Sequence, residues 1–198
     1  MVAVITGDIR NSRRLKNFDW VKKLKVILKK YALPKRWEVF RGDSFQLETT
    51  PENALLVCFQ IRLELLLLKM DARMAIGIGE QAFKAGKVTE SNGSAYVFSG
   101  ECFDKLQKNV LRIQTDNPEN DVYWNLVLDL AMLTANRWTA TTAVPILLAL
   151  SNPNLNQKEI ATLTDRKSQS NISATLKRSG YHEIAEMIQL FTQKMQSR

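Results

Sequence analysis

The stretch EVFRGDSFQLE, residues 38–48, decides the fold, because it places Gly42 and Asp43 between two runs of strand-forming residues. A Gly-Asp or Asp-Gly pair flanked by β-formers is typical of a hairpin turn. The stretch therefore predicts two strands joined by a tight turn. It leaves two roles open for Asp43: an ordinary turn residue, or a carboxylate presented for binding.

A second carboxylate occupies a similar place in VAVITGDIRNSRR, residues 2–14. The apolar run at residues 2–5 predicts a strand, and Asp8 follows at its end. If this strand and the hairpin are neighbours, Asp8 and Asp43 project at one edge of the sheet. Two converging carboxylates suit a hard cation such as Mg²⁺, and phosphate oxygens bind beside such a cation. The alternative is that both residues only cap turns.

The basic loop after Asp8 supplies hydrogen-bond donors for an anionic ligand. We expect a nucleotide or a phosphorylated small molecule to bind there. The predicted phosphate-binding residues are Asn11, Ser12, Arg13, Arg14 and, from the hairpin, Arg41.

The remaining periodicity predicts an α+β domain at residues 1–116, an antiparallel sheet with helices on one face. Residues 19–31 place Trp20, Leu24 and Leu28 on one helical face, and Pro51 opens a long apolar helix. ARMAIGIGE (72–80) and NVLRIQT (109–115) are predicted strands, with a glycine-led helix between them. The polar segment TDNPEND (115–121) marks the boundary to an all-α domain at residues 117–198.

Residues 155–184 have the spacing of a helix-turn-helix, which favours DNA as a partner. Ile160, Ala161, Leu163, Ile172 and Leu176 are predicted to be buried, and Asn156 to cap the first helix. The motif also occurs in protein–protein modules, and polar residues at a helix start also serve as caps. The predicted DNA-binding residues are Lys167, Ser168, Gln169, Ser170, Asn171, Ser173, Lys177 and Arg178.

Composition limits the chemistry. With one histidine, His182, we expect neither a Ser-His-Asp triad nor a two-histidine metal centre. Cys58 and Cys102 lie in apolar surroundings and are predicted to be core thiols. We expect a cytoplasmic protein without a membrane span, because no apolar run reaches bilayer length and the start of the sequence lacks a signal-peptide pattern.

The net charge of +8 is concentrated near the two ends of the sequence. Residues 1–41 carry twelve Lys and Arg against three Asp and Glu, and residues 151–198 carry seven against four. This distribution predicts anionic partners, although solvated lysines on helix faces explain any single residue equally well. Because the excess of positive charge in the C-terminal segment is modest, DNA binding is expected to need a homodimer that presents two helix-turn-helix motifs.

The motifs VAVITGDI, FRGDSFQ, ARMAIGIGE and SNGSAYVFSGECFDKL, in this order, resemble the catalytic core of class III nucleotidyl cyclases. The whole chain, with RWT at 137–139 and QKEIA and SQSNIS near its end, resembles the SatD family, which is associated with regulators. The resemblance implies a ferredoxin-like, cyclase-like sheet. It also implies Asp8, the Ile9 carbonyl and Asp43 as metal ligands.

The sequence departs from the cyclase pattern at its catalytic positions. The purine-selecting lysine would fall near Val39, and the transition-state Asn and Arg fall on Phe98 and Cys102. Loss of an arginine that neutralises phosphate charge costs on the order of 10³-fold in rate. The prediction is therefore a DNA-binding transcriptional regulator whose cyclase-like domain binds a metal and a nucleotide. The alternatives are a Mg²⁺-dependent cyclase or nucleotide hydrolase, and a degenerate scaffold for protein–protein interaction.

Overall fold

A five-stranded sheet in the order β2-β3-β1-β4-β5 forms the first half of the chain. The computed structural model describes residues 1–10, 12, 19–164 and 168–197. The central strand β1 is covered on both faces, since Ala3, Val4 and Ile5 are fully buried. The strand bounds are β1 Val2–Ile9, β2 Trp37–Phe40, β3 Ser44–Thr49, β4 Ala72–Gly79 and β5 Leu111–Gln114.

The predicted α+β class is confirmed, but the sheet is mixed rather than antiparallel. β1 runs antiparallel to β3 and to β4, and β2 runs antiparallel to β3. β5 pairs with β4 in parallel, with Met74 opposite Leu111. The connection between them contains the helix α3, Ser94–Asp104, and a crossover of this length returns the chain in the same direction.

Helices cover both faces of the sheet, so the prediction of helices on one face is wrong. Helices α1, Asp19–Tyr31, and α2, Ala54–Leu67, share a core with Ile5 and Ile76. The helix α3 packs on the opposite face, where Gly77 and Gly79 leave room for it. A Cβ atom on Gly77 would lie 2.2 Å from the Ala95 carbonyl oxygen and 2.3 Å from the Ser99 nitrogen.

In the described part of the chain, five helices follow β5, in agreement with the prediction that this segment is helical. Asn117 and Pro118 start the first of them, with the Asn117 side chain accepting from the Asn120 N–H. Asn156 caps another, as predicted, in a reciprocal capping box with Glu159. The helices are α4 Pro118–Ala135, α5 Ala140–Ser151, α6 Gln157–Leu163, α7 Gln169–Arg178 and α8 Tyr181–Gln196.

The helical segment shares a hydrophobic core with the sheet segment. Phe59 of α2 packs on Trp138 with ring centroids 5.9 Å apart, and Thr192 of α8 donates to the Glu52 carbonyl at 2.9 Å. Arg62 of α2 reaches the side-chain oxygen of Asn136, just after α4, at 2.8 Å. The boundary between residues 116 and 117 remains a prediction. Of the helices in the described ranges, none is long and apolar enough to cross a membrane.

Candidate functional site

Asp8 lies on the face of the sheet that α3 covers, near one end of β1. Its strand partners are Ser44 on β3 and Arg73 on β4. Thr6, two residues earlier and therefore on the same face, bonds Ser99 of α3 at 3.1 Å. The position of Asp8 agrees with the predicted strand end, although the strand itself extends to Ile9.

The Asp8 carboxylate is held by a bidentate ion pair with Arg73. Arg73 Nη2 donates to Asp8 Oδ2 at 2.6 Å, and Arg73 Nε donates to Oδ1 at 3.1 Å. The hydrogen bond to Asp8 is the main reason that the pKa of Arg73 is raised; burial acts in the opposite direction. Arg73 also donates to the Gln107 carbonyl at 3.2 Å, which fixes the guanidinium across the end of the sheet.

The hairpin turn brings Asp43 next to the end of β1, as the sequence predicts. The Asp43 carbonyl accepts from the Ile9 N–H at 3.0 Å, and its carboxylate accepts from Ser12 Oγ at 2.5 Å. Arg41 and Gly42 adopt positive φ angles of 50° and 88° in this turn. The two carboxylates therefore belong to adjoining backbone segments, but each has its own partner, Arg73 for Asp8 and Ser12 for Asp43.

A hard cation does not fit at Asp8 while Arg73 stays in this position. Both Asp8 oxygens accept from the guanidinium, so a cation there would have to displace Arg73. Within the described ranges, no three His, Cys, Asp or Glu side chains form a group that could hold a metal. The Mg²⁺ site with Asp8, Ile9 and Asp43 stays a prediction, and we derive no chemical step through it.

The predicted phosphate-binding residues are only partly described. Ser12 bonds Asp43, and Arg41 is exposed on the turn without an ion pair to any residue that the structure describes. Asn11, Arg13 and Arg14 lie outside the described residues, as does Lys167 of the predicted DNA-binding set. Arg73, which sequence analysis did not include among the site residues, is the arginine that pairs with Asp8 among the described residues.

A buried ion pair that sequence analysis missed lies on the same face of the sheet. Arg36 and Glu48 are 5% and 1% exposed, and Arg36 Nε donates to Glu48 Oε2 at 2.8 Å. The Tyr96 hydroxyl donates to Glu48 Oε1 at 2.5 Å. Arg36 also donates to the Ala85 carbonyl and to Ser91 Oγ, both at 2.7 Å, and so ties the loop before α3 to the sheet.

This ion pair is structural, because its donors and acceptors are used within the protein. The hydrogen bond to Glu48 is the main cause of the raised pKa of Arg36, and burial is the main cause of the raised pKa of Tyr96. Sequence alternation assigns Glu48 to the face opposite Leu47, which would be a solvated face if helices lay on one side only. The strand alternation therefore indicates on which face of the sheet Glu48 lies. Whether that face is buried depends on the second helix layer, formed by α3.

The positions that align with cyclase catalytic residues lie on α3. Cys102 is buried beside Ala75 and Leu106, and burial is the main cause that raises the pKa of its thiol to about 12. A thiol in that state is neither a phosphate-binding cation nor a reactive nucleophile at neutral pH. Phe98 is half-buried on the same helix. Both cysteines are buried and free, as predicted.

The helices α6 and α7 pack against each other in the region of the predicted helix-turn-helix. Ile160, Ala161, Ile172 and Leu176 are buried, as the sequence predicts. The predicted burial of Leu163 is wrong, since this last residue of α6 is 62% exposed. Ser168 caps α7, accepting from the Asn171 N–H at 3.3 Å and bonding Ser170 Oγ at 2.9 Å. The exposed residues of α7 are Gln169, Ser170, Asn171, Ala174, Lys177 and Arg178, and Ser173 is half-buried.

Compared with known proteins, the chain matches no family model, no curated protein and no solved structure. The resemblance to the SatD family and to the cyclase core therefore stays a prediction from the sequence motifs.

Proposed function

We propose that the protein is a cytoplasmic transcriptional regulator that contacts DNA with α7 and binds an anionic ligand, a nucleotide or phosphorylated small molecule, at the Asp8–Asp43 end of the sheet. The observation that carries the proposal is the two-sided character of α7. Its apolar side is buried against neighbouring helices, while its polar and basic side is exposed. This is the arrangement that a helix entering the major groove requires.

The spacing on α7 supports a division of contacts. Asn171, Ala174 and Arg178 follow each other at three- and four-residue intervals and lie on one face of the helix. Gln169 and Asn171 stand near its start, where a recognition helix meets base edges. Lys177 and Arg178 stand at its other end, where they can reach phosphates. Ala174 lies between these two ends of the helix, and its small side chain allows close approach to the groove.

The proposed ligand site is supported by cationic groups at the end of the sheet. Arg41 is exposed on the turn, and Arg73 is fixed by Asp8 within the same end of the sheet. Ser12 adds a hydroxyl beside Asp43. Arginine guanidinium groups bind phosphate oxygens by paired hydrogen bonds, which is why a phosphorylated ligand is the class that suits this end of the sheet.

The proposed DNA contact is tested by electrophoretic mobility shift against genomic fragments at two salt concentrations. Asn171→Ala is expected to weaken specific binding by about 1–3 kcal/mol, or roughly 5- to 150-fold, if it contacts a base. Lys177→Ala is expected to weaken binding to all sequences and to lower the salt dependence by about one phosphate contact. Lys84→Ala, another exposed lysine, is the matched control. Failure to retain any fragment at low salt would contradict the proposal.

The enzymatic alternative is tested by incubation with each nucleoside triphosphate and Mg²⁺ or Mn²⁺. We expect cyclic nucleotide formation to be absent or very weak, because Phe98 and the buried Cys102 supply no cationic or polar group. Rapid turnover that disappears in Asp43→Asn would show instead that the protein is a cyclase.

A further inference from the structure

The helix α4 exposes an apolar stripe to solvent, formed by Val122, Tyr123, Leu126, Leu130 and Leu133. These side chains are 72%, 59%, 59%, 59% and 67% exposed, respectively. The opposite side of the helix is buried, with Trp124, Leu128 and Met132 packed into the core. Between residues 120 and 135 the most exposed residues are all apolar or aromatic. The half-buried Asp129 borders the stripe, with its carboxylate paired to Arg112 of β5 at 2.9 Å.

A surface of this kind is uncommon on a protein that remains a monomer. The five side chains together expose on the order of 500 Å² of apolar surface, at the upper end of the largest patches on monomeric proteins. Scattered exposed apolar residues are ordinary, but a continuous row along about three turns of one helix is characteristic of a surface that contacts a partner.

The spacing within the stripe indicates that its occupant is a helix. Tyr123, Leu126, Leu130 and Leu133 follow the alternating three- and four-residue intervals of a coiled-coil seam. With 18 residues, α4 is about 27 Å long, and these four seam positions span about 15 Å of it.

Charge at the two ends of α4 identifies the partner helix. Glu119 lies four residues before Tyr123, and Arg137 lies four residues after Leu133. Among the described residues, neither Glu119 nor Arg137 has an ion-pair partner. If two copies of α4 pack antiparallel about a two-fold axis, Leu126 faces Leu130 and Tyr123 faces Leu133 of the other copy. The first turn with Glu119 then lies near Arg137 of the other copy, two residues beyond the end of its α4.

We propose that α4 is the interface of a homodimer, in which the stripe packs against the same stripe of a second copy. A two-fold interface requires a self-complementary surface, and the seam with its opposite terminal charges meets that requirement. A stable dimer buries about 800 Å² on each partner. The stripe supplies over half of this area, and the half-buried Val127 and Ala131 with the ends of the helix extend it.

The dimer would carry two copies of α7 close to the interface. One groove is lined by Leu130 and Thr134 of α4, by Lys177 and Arg178 of α7, and by Glu183 and Met187 of α8. The basic end of each proposed reading helix is thus adjacent to the stripe. The inference that the two α7 helices contact DNA together rests on the proposed DNA-binding function. The inference that the protein dimerises through α4 does not.

The proposal is tested by sedimentation equilibrium of the complete chain without DNA, over a range of concentrations. The expected mass is twice 22.6 kDa. Leu130→Glu is expected to give a monomer with unchanged circular dichroism, and Val26→Glu, which changes an equally exposed residue of α1, is expected to remain dimeric. A monomer at all concentrations, or a dimer that Leu130→Glu leaves intact, would overturn the proposal.

Charge reversal tests the antiparallel register and does not depend on the folding of Leu130→Glu. Glu119→Arg and Arg137→Glu are each expected to raise the dissociation constant several-fold, and the double variant to restore it. An absence of restoration would overturn the register. Because these measurements contain no DNA, a failure of DNA binding would leave their outcome unaffected.

Discussion

Two arginine–carboxylate pairs on one face of the sheet show how burial separates a structural contact from an available one. Arg36 binds Glu48, and Arg73 binds Asp8, each through two nitrogen–oxygen contacts. The side chains of the first pair are 6% and 2% exposed, and those of the second are 33% and 21% exposed. The chemistry of the two pairs is the same, but their surroundings differ.

The difference lies in what else touches each guanidinium. Arg36 is enclosed by the loop before α3 and by Tyr96, so its removal leaves a buried carboxylate without a partner. Breaking such a pair is strongly destabilising. Arg73 has one further acceptor, the Gln107 carbonyl, and a solvent-facing side. It can therefore be removed or redirected at small cost, which is what a ligand-binding cation requires.

The largest expected effect is on stability when the buried pair is broken. Glu48→Gln removes the charge that compensates Arg36 and is expected to lower the free energy of unfolding by about 3–5 kcal/mol. Urea unfolding followed by circular dichroism measures the change. Glu101→Gln, which affects an exposed pair with Lys105, is the control and is expected to change stability by less than about 0.5 kcal/mol. If the two substitutions change the free energy of unfolding equally, then burial does not make the Arg36–Glu48 pair more important for stability than an exposed pair.

An intermediate effect is expected for the exposed pair. Arg73→Ala is expected to cost about 1 kcal/mol of stability, because the pair is partly solvated. It also frees both oxygens of Asp8, so Mn²⁺ should bind about tenfold more tightly than to the unmodified protein, as measured by titration calorimetry. Arg73→Ala combined with Asp8→Asn is the control and should lose the gain. If the unmodified protein already binds Mn²⁺ as tightly as Arg73→Ala, then Arg73 does not compete with a cation.

The effect that is smallest near neutral pH is a loss of stability that develops only in alkaline solution and spares both arginine pairs. The pKa values of Arg36 and Arg73 are raised, so both stay charged in this range. Burial raises the pKa of Cys102 to about 12 and that of Tyr31 to about 12 in the folded chain. Since the unfolded state loses these protons first, the free energy of unfolding should fall as the pH rises from about 9 to about 12.

Urea unfolding at intervals of pH measures this loss, and Cys102→Ala should reduce it by removing one of the groups that titrate. Burial also raises the pKa values of Cys58, Tyr31, Tyr96 and Tyr181, and these groups contribute to the remainder. A loss of the same size in Cys102→Ala would mean that this thiol is not the source.

Local sequence patterns identified most elements, but they did not determine how the layers are arranged. The helix at residues 19–31, the hairpin at Gly42 and Asp43 and the buried residues of α6 and α7 follow from periodicity, turn chemistry and capping. The parallel pairing of β5 and the placement of α3 depend on contacts between distant segments. Gly77 and Gly79 predicted that another backbone segment packs closely on β4, but the sequence did not indicate that this segment is α3.

The same limit applies to the candidate site. Asp8 and Asp43 could be placed at adjoining segments from strand order, because each ends or precedes a strand. The pairing of Arg73 with the Asp8 carboxylate could not be predicted from strand order, because it depends on the register of β1 with β4. The exposure of the stripe on α4 could not be predicted from the sequence either, because an apolar helix can also be covered on all sides by its own chain.

The central position of β1 has a consequence for the order of events during synthesis. Its two neighbours, β3 and β4, come later in the chain, and Ile5 must wait for Ile76 before its ladder is complete. At about 5–20 residues per second, translation separates these two residues by several seconds. For more than half of that interval, until β3 is complete, the apolar segment VAVI has unpaired edges on both sides, and the edge that β4 will cover stays open to the end of it. This strand is therefore exposed to mispairing while the chain is being made.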